Sequence, residues 1–231
     1  MDPQQWANEQ FDDCQFGDLR RTKRLVKAAQ QAAARPDGST PDQTESWGDC
    51  KAVYRLMDCD EVTHAEIIRP HCARTRQSCE SSSTKLILCD TTEIDFKREI
   101  EGIGPVGKGA GRGFFLHTGL MRDATSGKID GMAGQVLFHR KPKSKRRIHK
   151  NSKRRDPHRE SLAWGQLIDQ VGSPPPEVKW IHVNDRGADD YEVYCRAFLN
   201  GCGWVVRVAR LNRKILDLDG NTGELGEYIA G

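Results

Sequence analysis

No apolar run in this sequence approaches the roughly 18 residues that a membrane-spanning helix needs. The start, Met-Asp-Pro-Gln-Gln-Trp, lacks the basic, apolar and small-residue order of a secretory signal. A helical membrane protein is therefore excluded as an expectation, no membrane partner is expected, and the cytoplasm is the default location. Cys-x-x-Cys pairs are also missing among Cys14, Cys50, Cys59, Cys72, Cys79, Cys89, Cys195 and Cys202, which argues against a zinc knuckle or ribbon. The eight thiols read as small core residues rather than as a disulfide framework. His139, His149 and His158 have no ligand spacing. Net charge is nearly absent too: 36 Lys and Arg against 33 Asp and Glu leave +3. Any argument from charge must therefore rest on where the charges cluster.

The chain has 231 residues, 30% charged and 36% hydrophobic, enough for one large domain or two small ones with a real core. Residues 1–80 read as helical. Asp18 is placed to cap a helix through Leu19-Arg20-Arg21-Thr22-Lys23-Arg24-Leu25 and onward. Leu25, Ala28, Ala29, Ala32 and Ala33 form its apolar stripe, with Arg20, Lys23, Arg24 and Lys27 on the other side. A second helix is expected over about residues 49–58. A third starts at Thr63, where Thr63-x-x-Glu66 fits a capping box, and Pro70 is expected to kink or split it.

The pattern changes at Lys85. Residues 86–96 read as a central strand, because their first half is apolar throughout. Residues 113–121 and 129–140 read as two more strands. A basic stretch follows from Arg140 to Arg159, then a helix over about 157–171, a strand at 178–184, a helix at 188–199 and a strand at 203–209. The order β-β-β-α-β-α-β behind a helical head is the layout of a ribonuclease-H-like core, although order alone is a weak signal. The expected division is 1–80 and 81–231.

Two carboxylates stand out. Asp90 follows an apolar run in the first strand, where an ionised group is costly unless it is paired or bound to metal. Asp185 ends the fourth strand, which in this layout lies beside the first. Mg²⁺ or Mn²⁺ takes oxygen ligands from such a pair, completed by water and phosphate. The competing reading makes Asp90 half of a buried salt bridge and Asp185 a helix cap. Arg20, Arg21, Lys23, Arg24, Lys27, Lys51 and Arg55 could set cations along DNA phosphates, or simply form a solvated face. The run Arg140 to Arg155 reads as a loop that binds phosphate without sequence preference. Gly102-Ile103-Gly104-Pro105-Val106-Gly107 satisfies G-x-G-x-x-G, but it leads into a strand and not a helix, which argues against a dinucleotide site. His117 reads as an ordinary core or strand histidine.

Several segments together resemble bacterial cut-and-paste transposases of the DDE class, in the Tn-five and IS-four group. They are Phe16-Gly17-Asp18-Leu19-Arg20-Arg21-Thr22-Lys23-Arg24-Leu25-Val26, Trp47 with Lys51-Ala52-Val53-Tyr54-Arg55, Asp90-Thr91-Thr92, Arg159-Glu160-Ser161 with Trp164, and Asp185-Arg186-Gly187-Ala188-Asp189. The resemblance spans roughly residues 6–210. It implies an all-helical amino-terminal domain that holds transposon-end DNA. It also implies a ribonuclease-H-like mixed sheet in which Asp90 and Asp185 are catalytic metal ligands for Mg²⁺ or Mn²⁺, and a bacterial, nucleoid-associated protein. Double-stranded DNA, both transposon end and target, would be the partner, with a possible dimer of this chain and a full-length transposase. The family's third acid, a Glu within a Tyr-Arg-Glu-Lys signature, has no match. Glu224 and Glu227 lie too early for it, so the chain is expected to stop before that motif. Whether it cuts DNA by itself, or is a catalytically inactive DNA-binding fragment that acts as an inhibitor or has no selected function, stays open at this point.

Overall fold

The computed structural model describes residues 2–79, 83–98, 100–101, 103–107, 111–140 and 159–230. Most of the basic stretch, with His149, His158 and the expected helix start at Pro157, lies outside the described residues, as does Gly102. The chain divides into two compact units, 1–78 and 79–231.

The first unit is helical. Helix α1 (Pro3–Phe11) is capped by Asp2, whose carboxylate accepts from Gln5 N at 2.8 Å. Asp18 caps α2 (Leu19–Ala34) through Arg20 N at 2.8 Å. A short α3 (Thr40–Gln43) precedes α4 (Trp47–Met57), which Ser46 caps, and Thr63 caps α5 (His64–Gln77) through Glu66 N at 3.3 Å. Each cap satisfies an N–H that the first turn cannot. Cys14, Phe16, Leu25, Leu56 and Val62 form the core. Of the kink or split expected at Pro70, the split does not occur: helix α5 runs through Pro70; Pro70, Cys72 and Thr75 are buried, so packing holds the helix together across the missing hydrogen bond. One expectation needs correction. On α2 the buried residues are Thr22, Leu25 and Gln31, while Ala33 is exposed. Thr22 can be buried because its hydroxyl donates to Cys14 O at 2.9 Å.

The second unit is built on a mixed sheet. Its strands are β1 (Thr84–Asp95), β2 (Gly104–Pro105), β3 (Arg112–Asp123), β4 (Ile129–Phe138), β5 (Lys179–Asn184) and β6 (Gly203–Val206). β3 lies antiparallel between β1 and β4, and the short β2 pairs with the start of β3. On the other side of β1 lie β5 and then β6, both parallel. Helix α6 (Leu162–Val171) precedes β5, and α7 (Tyr191–Leu199) connects β5 to β6. A hairpin, β7 (Lys214–Leu216) with β8 (Thr222–Glu224), and α8 (Leu225–Ala230) follow. Side chains alternate faces along a strand. Ile87, Cys89, Met121 and Trp180 thereby meet Leu167, Ile168, Val193 and Ala197 in one core. Gly119 and Gly134 are register partners in β3 and β4 under α6. A Cβ on Gly119 would sit 2.9 Å from Ile87 Cγ2, and one on Gly134 3.1 Å from Leu167 Cδ1, so only glycine admits the helix this close.

The expected helix over 188–199 breaks into a 3-10 turn (Arg186–Ala188) and α7, because Asp190 caps α7 through Glu192 N and Asp189 is drawn inward instead. α6 starts at Leu162, later than expected. Gly104 and Pro105 pair with Gly113 and Arg112, and among the described residues of this stretch none is helical.

Candidate functional site

Asp90 lies on β1 and Asp185 just past the end of the adjacent β5. Parallel pairing of β1 with β5 runs from Thr84 and Lys179 to Leu88 and Val183. The same register carried two residues further sets Asp90 beside Asp185. Both are exposed. The expectation that Asp90 sits in a buried stretch is therefore wrong: it lies past the last pair with β5, on the face of the half-buried Leu86 and Leu88 and not that of Ile87 and Cys89. Neither carboxylate forms an ion pair among the described residues, so the buried salt bridge is not found. Asp90 Oδ1 accepts from Thr91 N at 2.8 Å and Asp185 Oδ1 from Gly187 N at 2.9 Å. The cap expected of Asp185 is thus present, on the 3-10 turn. In each residue one oxygen is oriented by backbone and the other, Oδ2, carries no hydrogen bond among the described residues.

The neighbouring acids have other duties. Asp189 is 6% exposed. It accepts from Tyr194 Oη at 2.7 Å, Ala209 N at 2.8 Å and Arg210 N at 3.1 Å, and pairs with Arg213. Burial pushes its carboxyl up, but Tyr194, these N–H groups and Arg213 together hold it below the ordinary carboxylate range. Glu224 pairs with Lys214 at 3.0 Å. No group of three or more His, Cys, Asp or Glu side chains suited to a metal occurs among the described residues.

Behind the carboxylates lie two histidines, His117 and His182, both fully buried. His117 Nδ1 is 2.8 Å from Thr91 Oγ1, and its ring lies 4.8 Å from that of Trp164. Burial lowers the His117 pKa to about 4 against the opposing pull of the Asp185 and Asp90 charges. Burial, then the proximity of His117, lowers that of His182 to about 4. The core or strand position expected of His117 is where it lies, but its contact with Thr91 is not visible in the sequence. The one signal for more was its position in the strand that pairs with Asp90-Thr91.

In the helical unit the seven cations expected to meet DNA divide into two groups. Arg20 is held by Asp18, with Nη2 at 2.8 Å. Arg21 donates to Phe16 O at 2.6 Å and lies 3.2 Å from Glu61. Arg24 and Lys27, expected on a free face of α2, both reach Asp49 of α4 at 2.9 Å. Lys23 and Arg55 form no ion pair among the described residues, and Lys51 Nζ stands 5.4 Å above the Trp47 ring. Trp47, Lys51, Tyr54 and Arg55 are all exposed and follow one another at helical spacing along α4. This stripe, with its two aromatic rings and two cations, is only half legible in the sequence: Trp47 and Tyr54 belong to the segments that carry the resemblance, but nothing in the sequence indicates that they stay uncovered.

Residues 3–62 match the family model of transposase DNA-binding domains. The helical head is thus of the kind by which transposases bind DNA, and DNA is the partner it supports.

Proposed function

We propose that this chain, with a transposase-type DNA-binding domain at residues 3–62, is a DNA transposase of the DDE class, in the Tn-five and IS-four group. The second unit is read as a ribonuclease-H-like core. Its strand order, β4-β3-β1-β5-β6 with the last two parallel to β1, supports that reading. The observation that carries the proposal is the register that levels Asp90 with Asp185, each with one oxygen held by backbone and one open.

That donor set fits a hard divalent cation, which takes carboxylate oxygens and completes its shell with water and phosphate. Asp90 and Asp185 would hold Mg²⁺ or Mn²⁺; when bound, the ion supplies Lewis-acid activation for hydrolysis and strand transfer at a phosphodiester. The chain's own part is to bind and orient. The exposed stripe of α4, Trp47 to Arg55, together with Lys23 of α2, meets transposon-end DNA. Arg24 and Lys27 hold α4 in place through Asp49. Target DNA and a second transposase copy are the further partners this reading entails.

The test is incubation of the purified chain with DNA carrying the ends that flank its own coding sequence, in Mn²⁺. Nicking that disappears in Asp90→Ala and in Asp185→Ala supports the proposal. Nicking that survives both overturns it. The second reading, DNA binding without cleavage, is supported by the match of residues 3–62 to transposase DNA-binding domains taken by itself. It predicts DNA binding with no nicking in the unmodified chain.

A further inference from the structure

The two proposed ligands are joined on the buried side of the sheet by a continuous series of contacts. Thr91 and His117 are register partners in β1 and β3, so their side chains share a face, and the face opposite carries Asp90. Thr91 Oγ1 meets His117 Nδ1 at 2.8 Å. The other ring nitrogen, Nε2, is buried and has no hydrogen-bond partner among the described residues, so Thr91 is the polar group that fixes the ring. His117 in turn rests against Trp164 of α6 at 4.8 Å between ring centroids. Trp164 packs so closely on Gly187 that a Cβ there would lie 2.3 Å from its Cζ2. Gly187 N is the donor that holds Asp185, as Thr91 N holds Asp90.

We propose that His117 and Trp164 form a positioning bracket that sets the separation of Asp90 and Asp185, fixing Asp90 through Thr91 and Asp185 through Gly187. The inference rests on the reading of these two carboxylates as metal ligands. Side chains that orient ligands from behind are worth roughly 10- to 100-fold in metal affinity. The bracket differs from ordinary core packing in one respect: its arm toward Asp90 runs through a single hydroxyl–imidazole contact. Removing that contact without removing volume should loosen the metal site and leave the fold intact.

Mn²⁺ alone, titrated calorimetrically into the full chain, reads this directly. Thr91→Val keeps the shape and removes the hydroxyl. It should weaken Mn²⁺ binding about 10-fold or more at an unchanged melting temperature, and Thr91→Ser should restore it. His117→Ala should weaken binding likewise, and His117→Asn, whose amide reaches the place of Nδ1, should recover much of the loss. Gly187→Ala should weaken binding by displacing Trp164. Thr91→Val binding Mn²⁺ as tightly as the unmodified chain would overturn the bracket. Asp90→Ala serves as the separate control: if it binds Mn²⁺ undiminished, the metal-ligand reading itself has failed, whatever the bracket variants do.

Discussion

At the scale of the residue, four aspartates show how little an amino-acid type settles. Asp185, Asp189 and Asp190 lie within six positions. One is exposed and half open, one is buried and fully satisfied, and one caps a helix. Asp90 has the same half-open arrangement as Asp185. The buried histidines make a testable statement about acid stability. Burial holds His117 and His182 at about 4, below the roughly 6.5 of an unfolded histidine. Between these limits the unfolded chain takes up protons that the folded chain refuses, so stability is full above about pH 6.5 and falls as pH drops toward 4. Each ring accounts for about 3 kcal/mol across that window. Thermal melts of the second unit should show this loss, and His182→Asn, which cannot protonate, should remove its share of the slope.

At the scale of the element, buried ion pairs fix how strands and helices meet. Lys85 on β1 is 4% exposed, yet its Nζ lies 3.1 Å from Asp123 at the end of β3 and 2.9 Å from Asp130 on β4. One cation thus ties three strands at the end opposite Asp90. Lys85→Met would leave two carboxylates facing each other without it, at a cost of about 3 kcal/mol or more. Asp123 is held well below the ordinary carboxylate range, first by Ser126 and then by Lys85. Lys85 is held above the usual lysine range because the two aspartates outweigh its burial. A depressed acid stabilises above its unfolded value and a raised base stabilises below its own. The destabilisation by Lys85→Met should therefore be constant from about pH 4 to about pH 10 and shrink outside that range. Denaturant melts of both proteins across pH measure it. None of this is visible in the sequence, where Lys85 only marks the point at which the helical pattern stops. Helix caps at Asp18 and Thr63 and the strand near Leu86 were legible because they depend on local chemistry. The continuity of α5 through Pro70, and the turning of Arg24 and Lys27 toward Asp49, were not, because both depend on what packs against the element.

At the scale of the whole molecule, each unit carries its own core, one around Phe16 and Leu25 and the other around Ile87 and Leu167. Residues 1–78 expressed alone should therefore fold to a helical domain and bind double-stranded DNA. Affinity should fall with salt, and Lys51→Ala and Arg55→Ala should each lower the salt slope by about 1. Circular dichroism and mobility shifts at several salt concentrations check this; a fragment that is unfolded, or that binds with no salt dependence, would contradict it. All eight cysteines are free thiols and five are buried, in keeping with their reading as small core residues. No helix among the described residues is long and apolar enough to cross a membrane.

The sequence by itself determined the helical head, the alternation of strands and helices behind it, and the two acids worth attention. Caps, periodicity and short motifs are written in neighbouring residues. Only the tertiary structure decided that the register of β1 and β5, carried on, levels Asp90 with Asp185, that Asp189 is spent on its own loop, and that His117 stands behind the pair. Those outcomes depend on strand register and on which face a side chain takes. A shift of one residue along β1 would have put Asp90 into the core and Thr91 at the surface.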